Sequence, residues 1–331
     1  MESADYHCFP FRNTSCSLNF HFNYFNVLLF LYISVICMLT VCGNLLVIVS
    51  IAVFKQLHTP TNLIVLSLAV SDFLVGMCVM PVESIRSINS CFYMGKSQCL
   101  IFNVIVSIIG SVSLMNIVFV AIDRYFAVCN PLQYMSKMTI RKTLSYIGFG
   151  WTMSILYNLV IIGFDYSNQP GTTLICMREC AVPVSNSRGP IDLIVSFLAP
   201  CIVMVILYIK ILKVALRQAK AISNSTKKGA SQINQKSSRK SEMKATKTLG
   251  TIVFVYLICW IPWYIMTINI QHFQNSYETF SALLCLFYTN SCINPFIYAV
   301  SYPWFKKSAK LVLTLKIFQA ASKQFNLFPE D

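Results

Sequence analysis

Two aspartates stand where carboxylates are costly: Asp72 lies within an apolar run, and Asp192 opens another, eight residues before Pro200. A charge at mid-membrane depth costs about 2.5–3.5 kcal/mol on insertion scales, so Asp72 requires a compensating partner. A half-buried carboxylate such as Asp192 would welcome an ammonium ion, because pairing offsets its desolvation and adds a charge-assisted hydrogen bond. Trp260, Trp263 and Tyr264 occupy neighbouring turns of one segment and Tyr288 lies on the next. Such rings offer cation–π contacts worth about 0.5–2 kcal/mol each. The same rings, taken without the carboxylate, fit ordinary helix packing. Ser196, one turn after Asp192, and Ser107 could add hydrogen bonds. Asp192 is the only acid in the outer halves of the third, fifth, sixth and seventh apolar segments as the sequence bounds them. Glu83 could meet a second ammonium or pair with Arg86.

These residues need elements to hold them. The chain is 56% hydrophobic and 11% charged, with a mean hydropathy of +0.62, far from the roughly 25% charged content of soluble proteins. Seven apolar runs follow, near Val27–Phe54, Leu63–Met80, Leu100–Ala121, Tyr146–Phe164, Leu193–Leu212, Leu249–Ile268 and Phe280–Tyr302. Each approaches the roughly 20 residues a helix needs to cross a hydrocarbon core. The seventh holds Asn290, Asn294 and Pro295 and closes on Trp304-Phe305-Lys306-Lys307. Polar and helix-breaking residues at membrane depth indicate a hydrated interior, and the closing aromatic and basic pattern suits an interface. The expected fold is an all-α membrane protein, a seven-transmembrane helix bundle with a short amphipathic eighth helix. It divides into an outer N-terminal segment (1–24), the seven-helix bundle (25–302) and an amphipathic helix with tail (303–331).

Of the 26 basic residues, only Arg12, Arg86, Lys96, Arg178 and Arg188 fall on the outer face if the N-terminus is outside. The net charge of +14 is then mostly cytoplasmic, as the positive-inside rule expects. Charge confined to membrane-flanking loops argues against a nucleic-acid partner. No removable signal peptide is evident. The four histidines, His7, His21, His58 and His272, lie outside the apolar runs with no nucleophile–base or metal-ligand set, so an enzyme is not expected. A transporter would show related halves and a channel a pore loop or charged ring. Asn13-Thr14-Ser15 is an accessible glycosylation sequon, whereas Asn224-Ser225-Thr226 lies inside. Six cysteines, Cys8, Cys16, Cys91, Cys99, Cys176 and Cys180, fall on the oxidising side and allow 15 pairings. The inner loop around Gln218–Lys244 is a polar, basic linker whose ends either stay solvated or extend the flanking helices towards a partner.

Six motifs stand in order on these segments: Asn44 after Gly43, Asp72, Asp123-Arg124-Tyr125, Trp151, Cys259-Trp260-Ile261-Pro262 and Asn294-Pro295-Phe296-Ile297-Tyr298. Together they resemble the rhodopsin-like (class A) G-protein-coupled receptors from about Leu28 to Leu313. The run from Asn290 to Phe305 further resembles the fingerprint of the trace amine-associated receptors. In most aminergic relatives the amine-binding aspartate occupies the position of Val106, seventeen residues before Asp123. The resemblance therefore implies an anchor moved to Asp192, as in the teleost-type branch.

The resemblance implies an amine ligand, a heterotrimeric G protein of stimulatory or olfactory type with cAMP signalling, and a plasma-membrane position with the N-terminus outside. A non-olfactory aminergic receptor is the second reading, and a polytopic transporter the third. It implies an activation set of Asp123, Arg124, Tyr125, Tyr208, Glu242, Trp260, Asn294, Pro295 and Tyr298. Arg124 and Glu242 either lock the inner ends of the third and sixth helices or simply snorkel to the interface. Asp72, Ser113, Asn290 and Asn294 stand where the family holds a sodium ion, and a water network is the alternative; no other cofactor is implied. By the same resemblance Cys99 bonds Cys180 and Cys16 bonds Cys176.

Overall fold

The computed structural model describes residues 24–88, 96–168, 188–225, 250–266 and 277–314, and every element among them is helical. Helix α1 spans Tyr24–Val53. Helix α2 runs Pro60–Leu74, passes through a π turn at Val75–Val79 and continues as Met80–Ile88. Helix α3 is Lys96–Cys129 and the short α4 is Pro131–Lys137. Helix α5 covers Ile140–Asn168, and α6 runs Arg188–Leu193, a π turn at Ile194–Leu198, then Ala199–Ser225. Helix α7 is Gly250–Met266, α8 Tyr277–Ser301 and α9 Pro303–Leu313. Six are long and apolar enough to span a membrane, and α7 is the shorter seventh among the described residues.

All seven expected apolar segments appear as helices. Two departures have local causes. Helix α4 was not expected; Pro131 at its first position suits a helix start, but seven residues give too few turns for an apolar period to show. The other is the pair of π turns, each ending shortly before a proline: Pro81 and Pro200.

Those prolines explain how the helices are tied together. A proline inside a helix leaves a carbonyl one turn back without its N–H, and in lipid that oxygen must find an internal partner. Met80 N–H bonds Val75 O in the π turn, so in that register the next carbonyl, Gly76 O, faces Pro81; it accepts the Cys37 thiol of α1 at 3.1 Å. Ser196 O, within the π turn before Pro200, accepts the Tyr264 hydroxyl of α7 at 3.3 Å. Ser291 O, four residues before Pro295, accepts Asn44 Nδ2 of α1 at 3.2 Å. Before each proline a carbonyl of the interrupted turn thus bonds another helix.

Helix α3 packs against α2, α5 and α6, while α1 packs against α2, α8 and α9. Trp151 Nε1 of α5 donates to Ser67 Oγ of α2 at 3.0 Å, and Asn158 Nδ2 of α5 to Ser111 Oγ of α3 at 2.9 Å. Many apolar side chains, such as Leu28, Phe149, Val160 and Phe254, remain exposed on the outer circumference. That inversion of a soluble protein suits a lipid solvent. Helix α9 begins after a break at Tyr302, burying Trp304, Phe305 and Ser308 while Lys306, Lys307 and Lys310 face out.

Close helix approach depends on small residues. A Cβ at Gly43 would lie 3.0 Å from the Pro295 ring, which cannot move aside as a flexible chain end can. Gly43→Val should therefore lower stability by about 1–3 kcal/mol, the usual cost of overpacking. Thermal unfolding in detergent measures it, and a midpoint equal to the unsubstituted protein's would contradict a tight α1–α8 contact.

Candidate ligand site and inner polar clusters

Asp192 sits half-buried in the first segment of α6. Its Oδ1 accepts the Tyr157 hydroxyl of α5 at 2.6 Å, a short charge-assisted bond. Tyr264 of α7 lies within electrostatic range of the same carboxylate. From there a row of rings crosses the bundle. Phe197 stacks on Tyr264 with centroids 4.4 Å apart, Tyr264 on Trp260 at 6.0 Å, and Trp260 tilts against Phe287 at 4.5 Å. Phe287 then meets Tyr288 at 5.4 Å and Trp263 at 5.6 Å.

The expected ligand residues accordingly fall in two groups. Asp192, Ser196, Trp260 and Tyr264 belong to the side formed by α6 and α7. Val106 and the buried Tyr288 pack in a second apolar cluster with Met80, Ile109 and Cys285. Phe287 packs against both clusters and bridges them. Ser107 is half-buried on α3 beside Val106. Tyr157, Phe197 and Phe287 were absent from the expected set; each looks like packing in sequence, and only the fold brings it to the carboxylate or the ring row. One expectation needs correction. Helix α8 starts at Tyr277, earlier than the apolar run suggested, so Glu278 stands in its first turn and Asp192 is not the sole acid on those outer halves.

Asp72 is fully buried. Ser113 Oγ donates to its Oδ1 at 3.3 Å and Asn294 Nδ2 to its Oδ2 at 2.7 Å. Ser291 also bonds the carboxylate through its side chain, a partner the sequence reading missed. Asn290 is buried on the same helix. The cluster thus joins α2, α3 and α8.

A second cluster lies at the far ends of α2 and α3. Asp123 is fully buried and takes three hydroxyl or guanidinium partners. Thr61 Oγ1 donates to Oδ2 at 2.8 Å, the Tyr134 hydroxyl of α4 to Oδ1 at 2.7 Å, and Arg124 Nε to Oδ2 at 3.0 Å. Arg124 also reaches Thr61. Lys210 of α6 lies 5.8 Å from the centre of the Tyr125 ring. Tyr208 covers Gly250 of α7, where an added Cβ would come within 2.5 Å of its hydroxyl. Tyr298 is buried with its ring 6.1 Å from Tyr302.

Cys99 is disulfide-bonded, and every other described cysteine is free. Its partner is therefore one of the cysteines outside the described residues. Cys8, Cys16, Cys91, Cys176, Cys180, Asn13 and Glu242 all lie outside them.

The sequence matches the family described as "7 transmembrane receptor (rhodopsin family)" over residues 43–298. It is 38% identical over 328 residues to trace amine-associated receptor 13c of Danio rerio, covering 97% of this chain and 96% of that protein. Identity to trace amine-associated receptor 7a of Mus musculus is 38% over 301 residues, 88% and 84% of the two chains. For trace amine-associated receptor 1 of Homo sapiens it is 36% over 332 residues, 98% of each.

Tyr134 offers a titration test of the inner cluster. Burial, reinforced by the Asp123 charge, pushes its phenol up to about 12, against about 10 for a free tyrosine. The folded form therefore holds this proton more tightly. Its stabilisation is complete below about pH 10 and is lost as pH rises through about 12. Tyr134→Phe should lower the unfolding midpoint at neutral pH, and its deficit should shrink as the pH climbs above about 10. A deficit that stays constant over that range would contradict the Tyr134–Asp123 bond.

Proposed function

Because this chain belongs to the rhodopsin family of seven-transmembrane receptors and, within it, to the trace amine-associated receptors, we propose that it detects a small amine through Asp192. It is a multi-pass membrane protein and a G-protein-coupled receptor, not an enzyme. The relatives named above are called trace amine-associated receptors, and an amine fits the chemistry of the carboxylate. In this reading the N-terminus lies outside the plasma membrane. The inner ends of α3, α6 and α7 engage a heterotrimeric G protein of stimulatory or olfactory type, raising cAMP in an olfactory setting.

The observation that carries the reading is a half-buried carboxylate on α6 next to the Phe197–Tyr264–Trp260–Phe287 ring row. An ammonium ion there would gain an ion pair with Asp192 and aromatic faces beside it. Tyr157 holds the carboxylate by one oxygen, and a carboxylate has further lone pairs to offer. Val106 lies in an apolar cluster, so the third helix supplies no charge at that position. Ser107, Ser196, Trp263 and Tyr288 complete the proposed contact set.

At the inner end, we assign Arg124 to a resting-state contact with Glu242 in addition to its bonds with Asp123 and Thr61; a guanidinium has five N–H donors for such sharing. Tyr208, Tyr298, Asn294 and Pro295 are the proposed moving parts. At Asp72 the residues suit a sodium ion in part: Asp72 and Ser113 present oxygens, which hard cations prefer, while Asn294 turns its amide nitrogen to the carboxylate. In the proposed resting state Asp72, Ser113, Asn290 and Asn294 hold that ion, which would neutralise the buried charge. Bonding of Cys99 to Cys180 and of Cys16 to Cys176, with a glycan on Asn13, completes the proposed outer side.

A cAMP assay over primary to tertiary mono- and diamines tests ligand class and coupling together. For an amine that activates the receptor, Asp192→Asn should cost about 3–5 kcal/mol, or roughly two to four decades in affinity. Val106→Ala should shift potency only slightly. An Asp192→Asn receptor, matched for surface abundance, that responds at the wild-type concentration would overturn the Asp192 anchor.

A further inference from the structure

A cavity of about 450 Å³ lies on the side of the bundle between α2, α3 and α5, at the end that carries Asp123 and Arg124. Its walls are apolar: Ile64 from α2, Phe119, Ile122 and Phe126 from α3, and Ile147 from α5. Its rim is not. Lys137, at the end of α4, and Lys142, in the first turn of α5, both border it and are exposed. Lys137 Nζ donates to the neutral amide oxygen of Gln133 at 2.9 Å, which leaves its charge uncompensated. Among the described residues no carboxylate pairs with either lysine.

A third residue of the cavity is unusual. Thr143 lines it and is only 1% exposed, yet its hydroxyl has no hydrogen-bond partner. A buried hydroxyl without a partner is costly. Threonine in a helix divides between two side-chain rotamers, so a change of rotamer can turn Oγ1 towards the cavity. Two cations, a spare hydroxyl and an apolar slot describe an anionic head joined to a hydrocarbon chain. The setting is a lipid one, since the α5 span begins at Ile140 and Leu144 and Tyr146 beside the cavity are exposed.

We propose that this cavity binds an anionic phospholipid of the cytoplasmic leaflet, with its head group between Lys137 and Lys142, a phosphate oxygen accepting the Thr143 hydroxyl, and one acyl chain against Phe119, Ile122 and Ile147. The inference takes from the proposed function only that this end of the bundle faces the cytosol. That leaflet is the anionic one. A zwitterionic head carries no net negative charge to balance the two lysines and is disfavoured.

The test is native mass spectrometry of the full-length receptor from mixed micelles holding equal amounts of phosphatidylserine and phosphatidylcholine, with no amine added. One phosphatidylserine should be retained in preference to phosphatidylcholine. Lys137→Gln with Lys142→Gln should weaken that retention about tenfold to thirtyfold, given the usual attraction of each lysine to an anionic leaflet. Lys306→Gln with Lys310→Gln, on the exposed side of α9, should leave it unchanged and so separates the cavity from general basic attraction. Thr143→Val, which keeps shape and removes the unpartnered hydroxyl, should weaken it while leaving the unfolding midpoint of the lipid-free protein equal or slightly higher. Equal retention of both lipids, equal losses from both lysine pairs, or oleate displacing phosphatidylserine at equal concentration would overturn the proposal, the last by assigning the cavity to a free fatty acid.

Discussion

No water is available in the hydrocarbon region to satisfy a freed backbone carbonyl, and that constraint organises this bundle. Pro81, Pro200 and Pro295 each interrupt a helix, and carbonyls in the turns before them, at Gly76, Ser196 and Ser291, are met by Cys37, Tyr264 and Asn44 from other helices. A defect within one helix thereby becomes a specific tie between two. Lipid tails are as apolar as leucine, so helix association in membranes gains little from burying apolar area. Polar ties and close contacts at glycine, as between Gly43 and Pro295, determine which helices meet.

The same requirement shapes the two carboxylate clusters. Asp72 is held by Ser113, Ser291 and Asn294, and Asp123 by Thr61, Arg124 and Tyr134. Both are fully buried with their oxygens occupied. Asp192 differs. It is half-buried, with a hydrogen bond from Tyr157 and a ring row beginning one turn away. A half-buried carboxylate beside aromatic faces is the setting that the proposed amine contact requires. The Tyr264 hydroxyl connects this site to the break at Pro200, since the ring stacks on Phe197 while the hydroxyl holds the Ser196 carbonyl. In the proposed function, occupation of the Asp192 side would bear on the joint between α6 and α7, whose inner ends meet where Tyr208 covers Gly250.

Much of this was legible in the sequence because lipid imposes a simple code: a run of about 20 apolar residues is a helix. Polar residues inside such runs then mark the sites, which is how Asp72, Asn294 and Asp192 stand out. Residue type alone hid other parts. Tyr157 and Phe287 sit in apolar runs and read as packing; only helix rotation turns one to Asp192 and the other to Trp260. Ser291 is a small residue beside a conspicuous Asn290, and nothing local distinguishes which of the two bonds Asp72. The π turns at Val75–Val79 and Ile194–Leu198 change hydrogen-bond register without changing composition. Helix α8 reaches back to Tyr277 through polar residues, so hydropathy began it too late and missed Glu278. The Lys137, Lys142 and Thr143 rim joins a short helix to the start of α5, a junction invisible to a search for apolar periods.

The central claim is that the charge of Asp192, rather than the shape of the ring row, selects the ligand. A cycle pairing the residue with the ligand tests it most directly: competition binding of an active amine and its neutral hydroxyl isostere, each on wild-type and Asp192→Asn receptor. The account predicts that the amine is preferred by at least about a hundredfold on the wild type and that this preference collapses to near unity on the variant, the signature of a lost buried ion pair. Retention of the full preference by Asp192→Asn would contradict the account and move the anchor to another acid, with Glu278 the first to examine.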